Sequence, residues 1–225
     1  MSFRTLNTTV AKNPNPAKKF LEWSSERKCF EYYDKEAKVK KQVQLPIKIQ
    51  FLEDFHTVKG FSDSEQTGIY SNEVKFTSTE ELTVKTFGGT EIAKGLYNDI
   101  RLKIIDAGGK YHKSIYAVLD GELINFQVKG SVVSAFSLFA NGDKKLKITG
   151  HSQRFESHFI EINDFENLKK GATKYTVPNF TIGDAYKPSD LEVAKDAYSI
   201  ISEYFNSKTA TEDVVEEPEE EDLDF

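Results

Sequence analysis

Leu45, Ile47, Ile49 and Phe51 are apolar at strict alternation, with Lys48 and Gln50 between them, and this period of two predicts a half-buried β-strand. Upstream, Leu21 and Trp23 alternate before a Ser-Ser-Glu-Arg-Lys turn, and Phe30 and Tyr32 alternate after it, which predicts a hairpin from Phe20 to Asp34. Val58 to Asp63 reads as a change of direction. Strands are expected at 69–76 (Tyr70, Val74, Phe76) and 82–87 (Leu82, Val84), with Gly88-Gly89 as a closing turn. From residue 97, Ile100, Leu102 and Ile104 alternate with Arg101 and Lys103, predicting another strand. Asp106-Ala-Gly-Gly109 turns the chain, Tyr111–Leu119 reads as the next strand, and Asp120-Gly121 as a tight hairpin turn before Ile124, Phe126 and Val128. Val132, Val133, Phe136 and Phe139 or Ala140 change to helical spacing, and Asn141-Gly142 provides a stop. Leu146 and Ile148 then predict a fourth strand of this group, and His158, Ile160 and Ile162 a fifth, with His151–Glu156 as the loop between them.

Strand, strand, strand, helix, strand, strand within about 70 residues is the element order of an OB-fold, the small Greek-key barrel. The expected class is therefore mainly β: an OB-fold-like Greek-key barrel with extra N-terminal strands, one inserted helix and a C-terminal helix. Residues 164–187 look irregular, with one strand at 174–182. After Pro188, Ser189-Asp-Leu-Glu192 matches a capping box, and Leu191, Ala194, Tyr198, Ile201 and Phe205 form one apolar stripe of an amphipathic helix. The organisation that follows is an arm (1–19), a β-rich domain (20–187, core about 95–163), a helix (188–207) and a tail (208–225).

Charge separates the tail from the body. The 225 residues carry 30 basic and 36 acidic side chains, net −6. Nine of those acids lie in residues 212–225, so the rest holds 30 against 27, net +3. Such a block cannot bury enough apolar surface to offset its ordering entropy, so a disordered, solvated tail is expected. Its last residues, Glu220, Glu221, Asp222, Leu223, Asp224 and Phe225, end on an apolar anchor beside a free carboxylate, the chemistry of a short recognition peptide. One cysteine, Cys29, excludes an internal disulfide, and no run approaches the ~20 apolar residues of a membrane helix. The N-terminus lacks a signal-like apolar run, so a cytoplasmic protein without membrane association is expected.

Little points to catalysis. His56, His112, His151 and His158 have no spacing typical of metal ligands, Cys29 has no nearby histidine, and Gly108-Gly-Lys-Tyr-His-Lys113 lies between expected strands rather than opening a helix. No enzyme activity and no cofactor are expected. Nucleic-acid chemistry is better represented. Residues 101–154 hold nine basic and four acidic side chains, interleaved with aromatics. A basic groove with aromatic platforms grips phosphates and stacks bases, each stack worth ~1–3 kcal/mol. The candidate contacts are Arg101, Lys103, Lys110, Tyr111, Lys113, Tyr116, Lys145, Lys147, His151, Arg154 and Phe155. The Lys-rich stretch 35–41 reads as a solvated linker or as an arm that grips phosphates.

Basic β-rich body and acidic, Phe-terminated tail together resemble the phage-type single-stranded DNA-binding proteins, over residues 95–163 and 189–225. The resemblance implies a non-catalytic, sequence-independent coat for single-stranded DNA in replication, recombination or repair. It implies a tail that shields the groove and recruits a polymerase, helicase or primase. It places the protein in the cytoplasm, the host's if viral. A homodimer is compatible with the sequence. The alternative is a β-rich protein-interaction or virion structural module that binds no nucleic acid.

Overall fold

A computed structural model describes residues 15–212, and the side chains of residues 15–207. The fold is mainly β. Its elements are β1 (Lys19–Ser24), β2 (Cys29–Asp34), β3 (Val39–Val43), β4 (Ile47–Ser62), β5 (Thr67–Ser71), β6 (Leu82–Thr86) and β7 (Glu91–Gly95). Helix α1 (Tyr97–Asp106) precedes β8 (Gly109–Leu119) and β9 (Glu122–Lys129). Helix α2 (Ser131–Asn141), a ribbon of β10 (Gly142–Asp143) and β11 (Ile148–Thr149), a hairpin of β12 (His158–Lys170) and β13 (Thr173–Ala185), and α3 (Pro188–Glu212) complete it.

The main sheet runs β3-β2-β1-β9-β8-β4-β5-β6-β7, and β12 with β13 branches from the first part of β4. Among the described residues these pairings form no closed ring; β13 and the β1–β2 turn are joined instead by the Thr176 amide on Ser25 Oγ and Trp23 Nε1 on the Thr176 carbonyl. Strand β4 is the spine. One edge pairs with β8 along nearly its whole length; the other pairs with β12 at residues 47–49 and with β5 at residues 59–62. A bulge between Phe51 and Glu53 inserts one residue, which reverses the alternation. Ile47, Ile49 and Phe51 therefore share a face with Asp54, His56 and Val58.

That first face is covered by α2, through Val132, Phe136 and Phe139 on Ile49, Phe51, Ile115, Phe126 and Phe155, and farther along by α1, through Ile100 and Ile104 on Val58, Ile69 and Val84. The second face carries Leu52, Phe55, Tyr116 and Val118 under Ala194, Ala197, Ile201 and Phe205 of α3. Each such large side chain contributes about 1.5–3 kcal/mol by leaving water. The α3 stripe thus docks on the sheet.

Several expectations are corrected. Residues 97–106 are a helix: Ile100 and Ile104, four apart, are buried on one side, while Leu102 is 74 % exposed. Leu146 and Ile148 are exposed, in a short ribbon that adds no strand to the sheet. The order of three strands, a helix and two strands is supplied by other elements than those expected: β4, β8 and β9, then α2, then β12 and β13, with β5 to β7 and α1 inserted after β4. Val58 to Ser62 continues β4. The strand expected at 69–76 ends at Ser71, and Gly88-Gly89 belongs to the turn into β7. Residues 35–38 form a turn and Val39–Val43 a third strand on the first hairpin. The irregular stretch 164–187 is mostly the β12–β13 ladder. At α3, Asp190 Oδ2 accepts from the Lys187 amide at 2.8 Å, two residues earlier than the expected Ser189–Glu192 box. Pro188, with no N–H and a helical φ, takes the first helical position and moves the cap to Lys187.

Candidate functional site

The sheet formed by the last part of β4 with β5, β6 and β7 has its apolar core on the α1 side, made by Val58, Ile69, Leu82, Val84 and Ala93. Strand alternation sends the intervening residues to the other side, the face on which α3 covers Phe55 and Tyr116 farther back along β4 and β8. Across four strands the register aligns Lys85 with Tyr70, Tyr70 with Lys59, and Lys59 with Lys110. This row of three lysines and a tyrosine spans roughly 14 Å at ~4.8 Å per strand.

Aromatic rings accompany the row. Phe87 stacks on Tyr70 with ring centroids 5.2 Å apart, and it fills the space beside Gly68 where a Cβ would sit. Phe61 lies directly opposite Gly68 in the ladder. Phe87 is 73 % and Phe61 50 % exposed, so water meets aromatic faces that the core does not use. Lys59 extends over the ring of Phe20 at 5.6 Å, and burial pushes its ammonium pKa down, against the pull of Glu73 and Glu22. Among the described residues no carboxylate lies within ion-pair range of Lys59, Lys85 or Lys110. Like charges opposite one another on a ladder are destabilising. A phosphate between them changes the sign of that term.

Farther along the same face, Lys129 stands opposite His112, at the end of β9, and pairs with Glu22 at 2.7 Å. Both partners are largely exposed, so the pair is worth little and can exchange for a phosphate.

The sequence-derived candidates are scattered. Lys110 belongs to the row. Arg101 and Lys103 are exposed on α1, on the opposite side of the sheet. Tyr111 and Lys113 also face that side: the Tyr111 hydroxyl meets His56 Nδ1, and Lys113 pairs with Asp54. Burial, reinforced by Lys113, holds His56 down at about 4, and burial pushes the Tyr111 phenol up. Tyr116 and Phe155 are wholly buried in two different cores and present no ring face to a base. Tyr116 donates to Glu73 Oε2 at 2.9 Å, and burial raises its pKa strongly. Lys145 and Lys147 are exposed on the ribbon, His151 packs on Phe139 at 5.3 Å, and Arg154 is exposed in a short 3-10 turn. Glu220, Glu221, Asp222, Leu223, Asp224 and Phe225 lie outside the described residues. Sequence reading missed Lys59, Lys85, Phe61 and Phe87; the one available signal was Phe87 directly before Gly-Gly, an aromatic at a turn.

Among the described residues no three His, Cys, Asp or Glu side chains converge as metal ligands, and no helix is long and apolar enough to cross a membrane. Comparison of the chain with protein-family models, with curated proteins and with solved structures found no match.

Proposed function

We propose that the chain is a non-catalytic binder of single-stranded DNA, acting in replication, recombination or repair as the phage-type proteins it resembles do. The observation that carries this reading is the row Lys85–Tyr70–Lys59–Lys110 with Phe61 and Phe87 beside it, on the sheet face beyond the residues that α3 covers. Lysines at strand spacing suit phosphates, and open rings suit unstacked bases, which a duplex keeps inside. Affinity is then tolerant of sequence and falls with salt as counterions are released. The acidic stretch ending in Leu223 and Phe225 competes for the same lysines, and when displaced it is free to recruit a polymerase, helicase or primase.

The test is anisotropy of a fluorescent strand of about 30 nucleotides, against the matching duplex, from low to moderate salt. Preferential, salt-sensitive single-strand binding that tightens on deletion of residues 212–225 supports the reading. No binding at low salt, with or without the deletion, removes it. A protein-interaction module is the second reading, favoured by Leu102 and Ile105 of α1, 74 % and 51 % exposed on its outer side. It expects defined oligomers or complexes and no salt-dependent DNA affinity.

A further inference from the structure

The β1–β9 ladder stops after Leu21 and Phe126, although β9 continues to Lys129 and β1 to Ser24. Where the two strands part they leave a notch of about 210 Å³, lined by Gln127 and Lys129 and also by Trp23 and Val132 of the other face. The notch leads from the end of the lysine-bearing face to a second cleft, of about 850 Å³, between the β1–β2 turn and the tip of the β12–β13 hairpin. Ser25, Tyr175 and Thr176 line both.

This second cleft is built. The Thr176 amide donates to Ser25 Oγ at 2.6 Å, and Trp23 Nε1 donates to the Thr176 carbonyl at 2.9 Å, so the two hairpins are pinned together. Its charge is one-sided. Lys169 and Lys174 stand directly opposite each other in the ladder, and Lys28 faces them from the other hairpin, 5.0 Å over the ring of Phe165. Among the described residues none of these three has a carboxylate in ion-pair range, and Glu26 is the single acid lining the cleft. Two facing lysines repel across the ladder unless an anion lies between them.

We propose that a single strand held on the lysine row continues past Lys129, through the notch, into this cleft. Its phosphates there sit against Lys28, Lys169 and Lys174, and one base stacks on the half-buried ring of Tyr175. The inference rests on the reading of the row as the primary DNA site and extends its footprint to a second station. From Lys85 to Lys129 is four strand steps, roughly 19 Å at ~4.8 Å each. A very short oligonucleotide is used up on the row, and only a longer one reaches the cleft.

The test compares strands of about 5 and about 20 nucleotides on the full-length protein, on Phe87→Ala, on the double variant Lys169→Ser with Lys174→Ser, and on the Lys→Arg pair at the same positions. These lysines are exposed at a hairpin tip, so folding is not at stake. In the serine pair the short strand binds unchanged, the long strand binds about 5- to 10-fold more weakly, and its salt slope flattens by about 1.4, two phosphates' worth. The arginine pair restores long-strand binding. Unchanged long-strand affinity in the serine pair, or equal loss at both lengths, overturns the second station alone. Unchanged short-strand affinity in Phe87→Ala overturns the row itself, and absence of binding at either length overturns both.

Discussion

Phe87 lies on Tyr70 with ring centroids 5.2 Å apart and ring planes inclined by only 16°, over backbone that is bare because residue 68 is glycine. The stack leaves one face of Phe87 in water: the residue is 73 % exposed. An aromatic this open adds little to folding, since the hydrophobic term scales with area removed from water. What it supplies is a ring held at a fixed height above a row of lysines.

Phe87→Ala is therefore expected to leave the melting temperature unchanged and to weaken single-strand binding by about 1–3 kcal/mol, read by anisotropy titration. Gly68→Ala should do nearly as much, because its Cβ would occupy the ring's position. If both variants bind as the parent does, the stack is not a base platform.

Lys59→Gln and Lys110→Gln remove neighbouring charges of the row. Each should reduce the magnitude of the slope of log K against log salt by about 0.7, additively where each lysine meets its own phosphate. Arg101→Gln and Lys103→Gln, on the far side of the sheet, should move neither slope nor affinity. Loss of slope in the α1 variants, with none in the row, would place the interface on the other face.

The mainly β class and the docking of α3 were legible because both rest on one-sided burial. Ile47, Ile49 and Phe51 alternate against a single core, and Ala194, Ile201 and Phe205 share one side of a helix. Alternation misled where it was coincidental: Ile100 and Ile104 satisfy a strand's period of two and a helix's i, i+4 equally, and Leu102 between them is simply exposed. The remainder of β4 was hidden by its bulge, which moves Val58 to the parity opposite Phe51. The lysine row could not be read at all, since its four residues come from four strands and only the register brings them together. Tyr116 and Phe155 show the converse limit, for composition does not distinguish a ring that stacks a base from one that fills a core.

Phe205 is wholly buried and packs on Phe55 at 4.3 Å and Tyr116 at 5.9 Å between ring centroids. Phe205→Ala leaves a cavity under α3 and should cost about 3–5 kcal/mol in urea unfolding. Ile200→Ala, on the solvent side of the same helix at 48 % exposure, should cost under about 1 kcal/mol. Equal effects would mean that the helix is not docked by the side described.

His56 gives the fold an acid-sensitive point. Its Nδ1 shares a hydrogen bond with the Tyr111 hydroxyl, and burial, with Lys113 beside it, keeps the ring neutral down to about 4, below the ordinary value near 6.5. Between those two pH values the unfolded chain takes up a proton that the folded chain refuses. Stability is therefore whole above pH ~6.5, falls as pH drops toward ~4, and levels off below it. The ring is half-buried, so after solvent screening the loss should be on the order of 1–2 kcal/mol. His56→Gln keeps a hydrogen-bonding group for Tyr111 and removes the titration. Urea midpoints of parent and variant should differ by a constant amount above pH 7 and converge, or cross, as pH falls to 4, with the parent losing more. Parallel pH profiles would mean that His56 titrates alike in the folded and unfolded chains.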